Sequence, residues 1–155
     1  MGSERHSLYN PDEIIASVNF VAKLCKSFLQ INCASRIVVI TPCRMQMLKI
    51  KDKFKEKFGE NVLDFVDIYT DIIILSTVRA GLGEAVSFLR DKRRMNVALT
   101  TPKTSLLIVG RGVSLCNNEE WIALVEDCQT RTMFVEMERK GFGTLPSLII
   151  HLFST

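Results

Sequence analysis

A chain of 155 residues, 47% hydrophobic and 24% charged, has the make-up of one globular domain with enough apolar material for a real core, which excludes a disordered tail. A net charge of +3 is too small to argue for nucleic-acid binding by itself, so a local basic patch would have to carry that function. Five cysteines (Cys25, Cys33, Cys43, Cys116 and Cys128) without a CxxC pair, beside only two histidines, speak against a zinc site and for reduced thiols inside a cell.

Residues 1–9 read as a lead-in, with no signal-peptide pattern. Asn10-Pro11-Asp12-Glu13 then starts a helix: Asn caps, Pro takes the first helical position, and Glu three residues on can return a bond to the cap. Ile14, Val18, Val21, Cys25 and Phe28 follow at spacings of three and four, which predicts a helix to about residue 30 with Cys25 in the core. RIVVIT at 36–41 predicts a first buried strand. Thr41-Pro42-Cys43-Arg44-Met45-Gln46 leaves it and opens a helix through about residue 58, with Met47, Ile50, Phe54 and Phe58 inward and Gly59 as its stop. The lysines at 49, 51, 53, 55 and 57 scatter around that helix at about 100° per residue, the pattern of a solvated face with local ion pairs.

A second strand is expected at 61–66 and a third at 71–77, joined by the short link 67–70. Ala80-Gly81-Leu82-Gly83 is a turn before a helix at 84–89, and a further helix at 93–99 must stop by Thr101, because Pro102 disfavours helical geometry in the residue before it. Residues 105–110 form the next strand, 113–115 a short turn, and 117–128 a helix with Trp121, Leu124, Val125 and Cys128 inward. The last expected strand is 133–137. Residues 138–140 are polar and 147–153 apolar again, a tail (138–155) that periodicity does not assign. No apolar run approaches ~18 residues, so no membrane span is expected. Strands alternating with helices across short loops mean an α/β sheet, mostly parallel, with helices on both faces.

Within this frame, STVRA (76–80), FLRDKRRMNVALT (88–100) and SLLIVG (105–110) resemble the second RecA-like motor domain of superfamily-1 helicases, nearest to the senataxin and nonsense-mediated-decay branch. The resemblance runs from about Ser7 to Val135, so 10–137 is identified as a RecA-like domain. It implies an ATP-driven motor on single-stranded RNA or DNA, working in the nucleus or cytoplasm. ATP and magnesium would belong to it only when a first RecA-like domain completes the cleft. No G-x-x-x-x-G-K-[ST] phosphate loop occurs in the sequence, so none is expected to bind to this chain alone.

The resemblance also implies site residues. In the T-P-x-R-x-Q motif, Arg44 matches the position that reaches the γ-phosphate and Gln46 its companion, while Cys43 stands where the family usually has a Tyr near the base. Arg44 has the alternative of a solvent-facing arginine at a helix start. Ser76 and Arg79 match positions that reach the nucleic-acid backbone, a contact suited to a hydroxyl and a guanidinium; Arg79 could instead pair with Glu84 or Asp91. Residues 90–94 hold four basic side chains in five positions, and Arg94 and Asn96 join the implied nucleic-acid edge, with a structural role for Arg93, Arg94 and Asn96 equally open. Two departures stand out. The family's V-D-x-[FY]-Q-G-x-E-x-D fits Val66-Asp67-Ile68-Tyr69-Thr70-Asp71 only if Q-G-x-E is missing after Tyr69. Thr101 replaces the arginine of A-L-T-R-A-[KR], and a neutral hydroxyl cannot replace a bidentate cation on a phosphate. The expected function is therefore the second motor domain of a senataxin-like helicase that does not hydrolyse ATP alone. The alternative is a catalytically inactive helicase-like module that binds nucleic acid or a protein partner.

Overall fold

The computed structural model describes residues 9–27, 37–59, 71–78, 91–111, 115, 119–137 and 147–153, with the backbone alone for 27, 94–95, 111, 136–137 and 147–153. The expected strand at 61–66, the link 67–70, the helix at 84–89 and residues 28–30 lie outside these.

Helix α1 (Pro11–Ser27) begins as its sequence dictates. Asn10 Oδ1 accepts the N–H groups of Asp12 (3.1 Å) and Glu13 (3.4 Å), and Pro11 spends no donor at the first helical position. One expectation needs correcting. Glu13 does not return a bond to the Asn10 N–H, which instead donates to Gln46 Oε1 at 2.7 Å. Strand β1 (Ile37–Ile40) alternates between buried and half-buried residues, so it is less enclosed than a continuous apolar run suggests. Helix α2 (Arg44–Phe58) ends on Gly59, whose φ of 86° suits a residue without a Cβ. Of its lysines, Lys53 pairs locally with Glu56 at 2.6 Å, whereas Lys57 reaches across to α1 and donates to Asn19 Oδ1 at 2.8 Å.

Strands β2 (Ile72–Ser76) and β3 (Ser105–Arg111) are separated by helix α3 (Lys92–Thr100), whose Arg93 N–H donates to Asp91 Oδ1 at 3.0 Å. Helix α4 (Glu119–Thr130) and strands β4 (Phe134–Met137) and β5 (Ser147–Phe153) complete the chain. The sheet order is β1-β2-β3-β5-β4. β1, β2 and β3 pair in parallel, and β5 runs antiparallel between β3 and β4. The apolar segment that periodicity left unassigned is therefore an interior strand. Direct β3–β4 pairing is replaced by a reversed strand that satisfies both ladders.

The parallel strands are apolar on both faces because helices cover both. Ile73, Leu75, Leu106 and Ile108 pack with Ala98 of α3 and with Trp121, Val125 and Cys128 of α4. Ile74, Leu107 and Val109, with Ile37 and Val39, pack against Ile14, Val18 and Val21 of α1 and Ile50 and Phe54 of α2. Each fully buried side chain of this size contributes on the order of 1.5–3 kcal/mol by leaving water. Cys25 packs half-buried against the second cluster, and Trp121 is a core residue. Gly110 marks a tight crossing: a Cβ there would stand 2.2 Å from Thr77 Oγ1, which lies beside the Val109 carbonyl.

A buried polar latch at the carboxyl ends of the parallel strands

Parallel α/β sheets present ligands at the carboxyl ends of their strands. Here β1 ends into α2 and β2 ends at Ser76, and the side chains that leave these ends meet in the interior. Gln46, in the first turn of α2, donates through Nε2 to Ser76 Oγ at 3.0 Å. Ser76 Oγ donates in turn to Glu13 Oε2 at 2.6 Å, and the same carboxylate oxygen accepts the Val78 N–H at 2.9 Å. Glu13 Oε1 accepts Asn10 Nδ2 at 3.0 Å. Glu13, Gln46 and Ser76 are fully buried.

The direction of every bond in this chain is set by backbone donors. The Asn10 N–H can only donate, so Gln46 turns Oε1 toward it and its amide nitrogen toward Ser76. That occupies a lone pair of the hydroxyl and sends its proton to Glu13. Asn10 Oδ1 is held by the helix-start N–H groups, so its amide nitrogen also points at Glu13. Three donors thus converge on one carboxylate. Val78, whose amide is one of them, is fully buried with φ at 56°, a strained conformation for a β-branched residue. Burial pushes the Glu13 carboxyl up to about 7, against the lowering effect of its bonds from Ser76, Val78 and Asn10; the neighbouring Asp12 charge adds to the rise.

Of the residues singled out from the sequence, Gln46 and Ser76 are brought into direct contact, both facing inward. Arg44 is exposed at the first position of α2, and Cys43 is its half-buried N-cap residue with no side-chain capping bond and no acidic residue in the first turn. Thr41 Oγ1, at the end of β1, is buried without a hydrogen-bond partner among the described residues. This edge carries a guanidinium and helix-start amides, groups whose chemistry suits a phosphate. Among the described residues no three His, Cys, Asp or Glu gather as metal ligands. Asn96 lies exposed on α3, and Thr101 donates its hydroxyl to the Val97 carbonyl. Arg79 and the Arg94 side chain lie outside the described residues. The groove of about 380 Å³ lined by Ile15, Val18, Asn19, Lys53, Glu56 and Lys57 sits toward the other end of α2.

Glu13 is the residue that sequence reasoning missed. Its spacing from Asn10 is explained locally by a helix cap, whereas Ser76 lies 63 residues on. The signal was its helical face: Glu13 precedes Ser17 and Val21 at steps of four, and both are buried.

Residues 1–113 match the AAA domain family. The chain is 38% identical over 140 residues to "Helicase sen1" of Schizosaccharomyces pombe, covering 84% of this chain and 8% of that protein. It is 31% identical over 146 residues to mouse "Probable helicase senataxin" (87% of this chain, 6% of that protein) and 44% identical over 78 residues to "ATP-dependent helicase NAM7" of Saccharomyces cerevisiae (50% and 7%). The chain thus spans less than a tenth of the length of these relatives. No helix among the described residues is long and apolar enough to cross a membrane. Through its matched residues, its parallel β1–β3 core and these relatives, the chain belongs to the AAA domain family as a senataxin-like superfamily-1 helicase domain.

Proposed function

We propose that this chain is the second motor domain of a senataxin-like helicase: it lends one wall to a nucleic-acid and ATP cleft and does not hydrolyse ATP alone. The observation that carries the reading is the convergence of the Gln46 and Ser76 motifs at the carboxyl ends of β1 and β2, with the exposed Arg44 at the start of α2. Relatives named as helicases support the motor assignment. Arg44, with the helix-start amides, would face the terminal phosphate of a nucleotide held by a first RecA-like domain, with Cys43 near the base, and that domain would supply the phosphate loop and the magnesium ligands. Ser76, Arg79, Arg94 and Asn96 would form the edge toward single-stranded RNA or DNA, Ser76 acting through its neighbours because its own hydroxyl is engaged inside. The site of action is intracellular, nuclear or cytoplasmic.

The test is ATP turnover with single-stranded RNA present, for the chain alone and with a first RecA-like domain added. Turnover is expected only in the pair, and Arg44→Ala should reduce it by about 10²–10³-fold, the usual effect of deleting one charge-stabilising donor. Turnover by the chain alone would overturn the reading. Thr101, with its hydroxyl turned back on its own helix, favours a second reading, an inactive helicase-like module that binds nucleic acid or a protein partner. That reading requires salt-dependent RNA binding without turnover in any pairing; affinity and salt slope unchanged in Arg79→Ala and Arg94→Ala would remove the proposed edge from both.

A further inference from the structure

We infer that Glu13 is a positioning residue, whose carboxylate latches the end of β2 to the start of α2 and so ties the nucleic-acid edge to the nucleotide edge. The inference rests on the reading above. One carboxylate oxygen holds the last residue of β2 through the Ser76 hydroxyl and also the amide of Val78, the residue directly before Arg79 in the chain. Through Ser76 it also sets which way the Gln46 amide faces, two residues after Arg44.

The geometry gives this carboxylate an acceptor-only task. Both oxygens are met by donors whose direction is imposed by backbone N–H groups: a proton on Oε2 would confront the Ser76 hydroxyl or the Val78 amide, and one on Oε1 would remove the charge that strengthens all three bonds, so either loosens the latch. The groups around it are few in kind: Asn10 and the Asp12 carboxylate from the beginning of α1, the neutral Gln46 amide of α2 reaching it through Ser76, and the hydroxyl and amide at the end of β2. Among the described residues hydrogen bonds alone hold the charge, and its raised proton affinity places ionisation near neutral pH. The strained, buried Val78 beside it is the kind of backbone that persists only when its surroundings hold it.

The test uses the whole chain, a fluorescein-labelled oligouridylate, and nuclear magnetic resonance of the Gln46 side-chain amide, each at pH 6 and pH 8. Glu13→Gln retains the shape but cannot change charge. The ratio of wild-type to Glu13→Gln affinity should rise by up to about tenfold from pH 6 to pH 8, the scale of one buried hydrogen bond, while effects of the histidines cancel in the ratio. In a Ser76→Ala background the ratio should fall to about one at both pH values, because the connection to Gln46 is gone. A ratio that does not change with pH, or that survives Ser76→Ala, overturns the inference. If the wild type binds no RNA, the nucleic-acid reading fails and the amide signal decides the latch alone. A Gln46 amide that shifts with pH in the wild type but not in Glu13→Gln upholds the positioning role; one that is unmoved in both ends it.

Discussion

The two faces of the sheet are built on opposite terms. Against α3 and α4 the described cluster is apolar, with Trp121 and Cys128 sealed onto Ile73, Leu75, Leu106 and Ile108. Against α1 and α2 a similar apolar cluster shares its helices and strands with the buried polar side chains Glu13, Gln46 and Ser76. Burial on the first face contributes to stability under all conditions. On the second, burial of a carboxylate works against stability once the group is charged, and three hydrogen bonds offset only part of that cost. A domain keeps such an arrangement where a fixed geometry matters more than the last few kcal/mol, and here it lies at the carboxyl ends of the parallel strands, the end where sheets of this kind generally bind ligands.

Substitutions can break or sharpen this contrast. The largest effect is expected on the apolar face: Trp121→Ala should cost about 3–5 kcal/mol in urea unfolding, with no change in the RNA affinity of the molecules that remain folded. Next comes the pH dependence of the polar face. The folded-state value for Glu13, about 7, lies above the ordinary 4.5, so between these limits the folded chain binds the proton more tightly than the unfolded chain. Its contribution to stability is therefore fully present below pH 4.5 and is lost as pH rises through 7. Urea melts at pH 5 and pH 8 should show the wild type losing on the order of 2–3 kcal/mol relative to Glu13→Gln; parallel curves would contradict the burial argument.

Smaller effects probe the rims of the two faces. Gly110→Ala places a methyl group against the Thr77 side chain at the end of β2, and overpacking of this kind should cost about 1–3 kcal/mol by thermal unfolding. At the far end of α4, Thr132 takes φ 56° in a Schellman stop, with Met133 N–H on the Cys128 carbonyl and Thr132 N–H on that of Gln129. Thr132→Gly should stabilise the chain by about 0.5–1 kcal/mol in the same measurement, since glycine adopts this conformation without steric cost.

Much of this organisation was readable in advance. Asn10 and Pro11 announce the first helix, Gly59 ends the second, and the runs at 72–75 and 106–109 announce strands buried on both faces, because caps and periodicity are local properties of the chain. The T-P-x-R-x-Q and S-T-V-R-A words singled out Gln46 and Ser76, though not their mutual contact. Glu13 was explained too soon by its nearest neighbour, since a local cap accounts for a Glu at that spacing as well as a distant latch does. The segment 147–153 was visibly apolar, yet its direction and its place between β3 and β4 depend on partners far away in the chain.

By itself, then, the sequence marked the helices at 11–27, 44–58 and 119–130 and the buried strands at 72–76 and 105–111, because caps and periodicity are written in spacing over a few residues, while the helicase kinship came from the resemblance of its motifs. Only the tertiary structure decided where the last strand inserts and which donors surround Glu13. Strand pairing and burial are settled by groups that the chain brings together from remote positions, and a carboxylate's role depends on the company it keeps once water is gone.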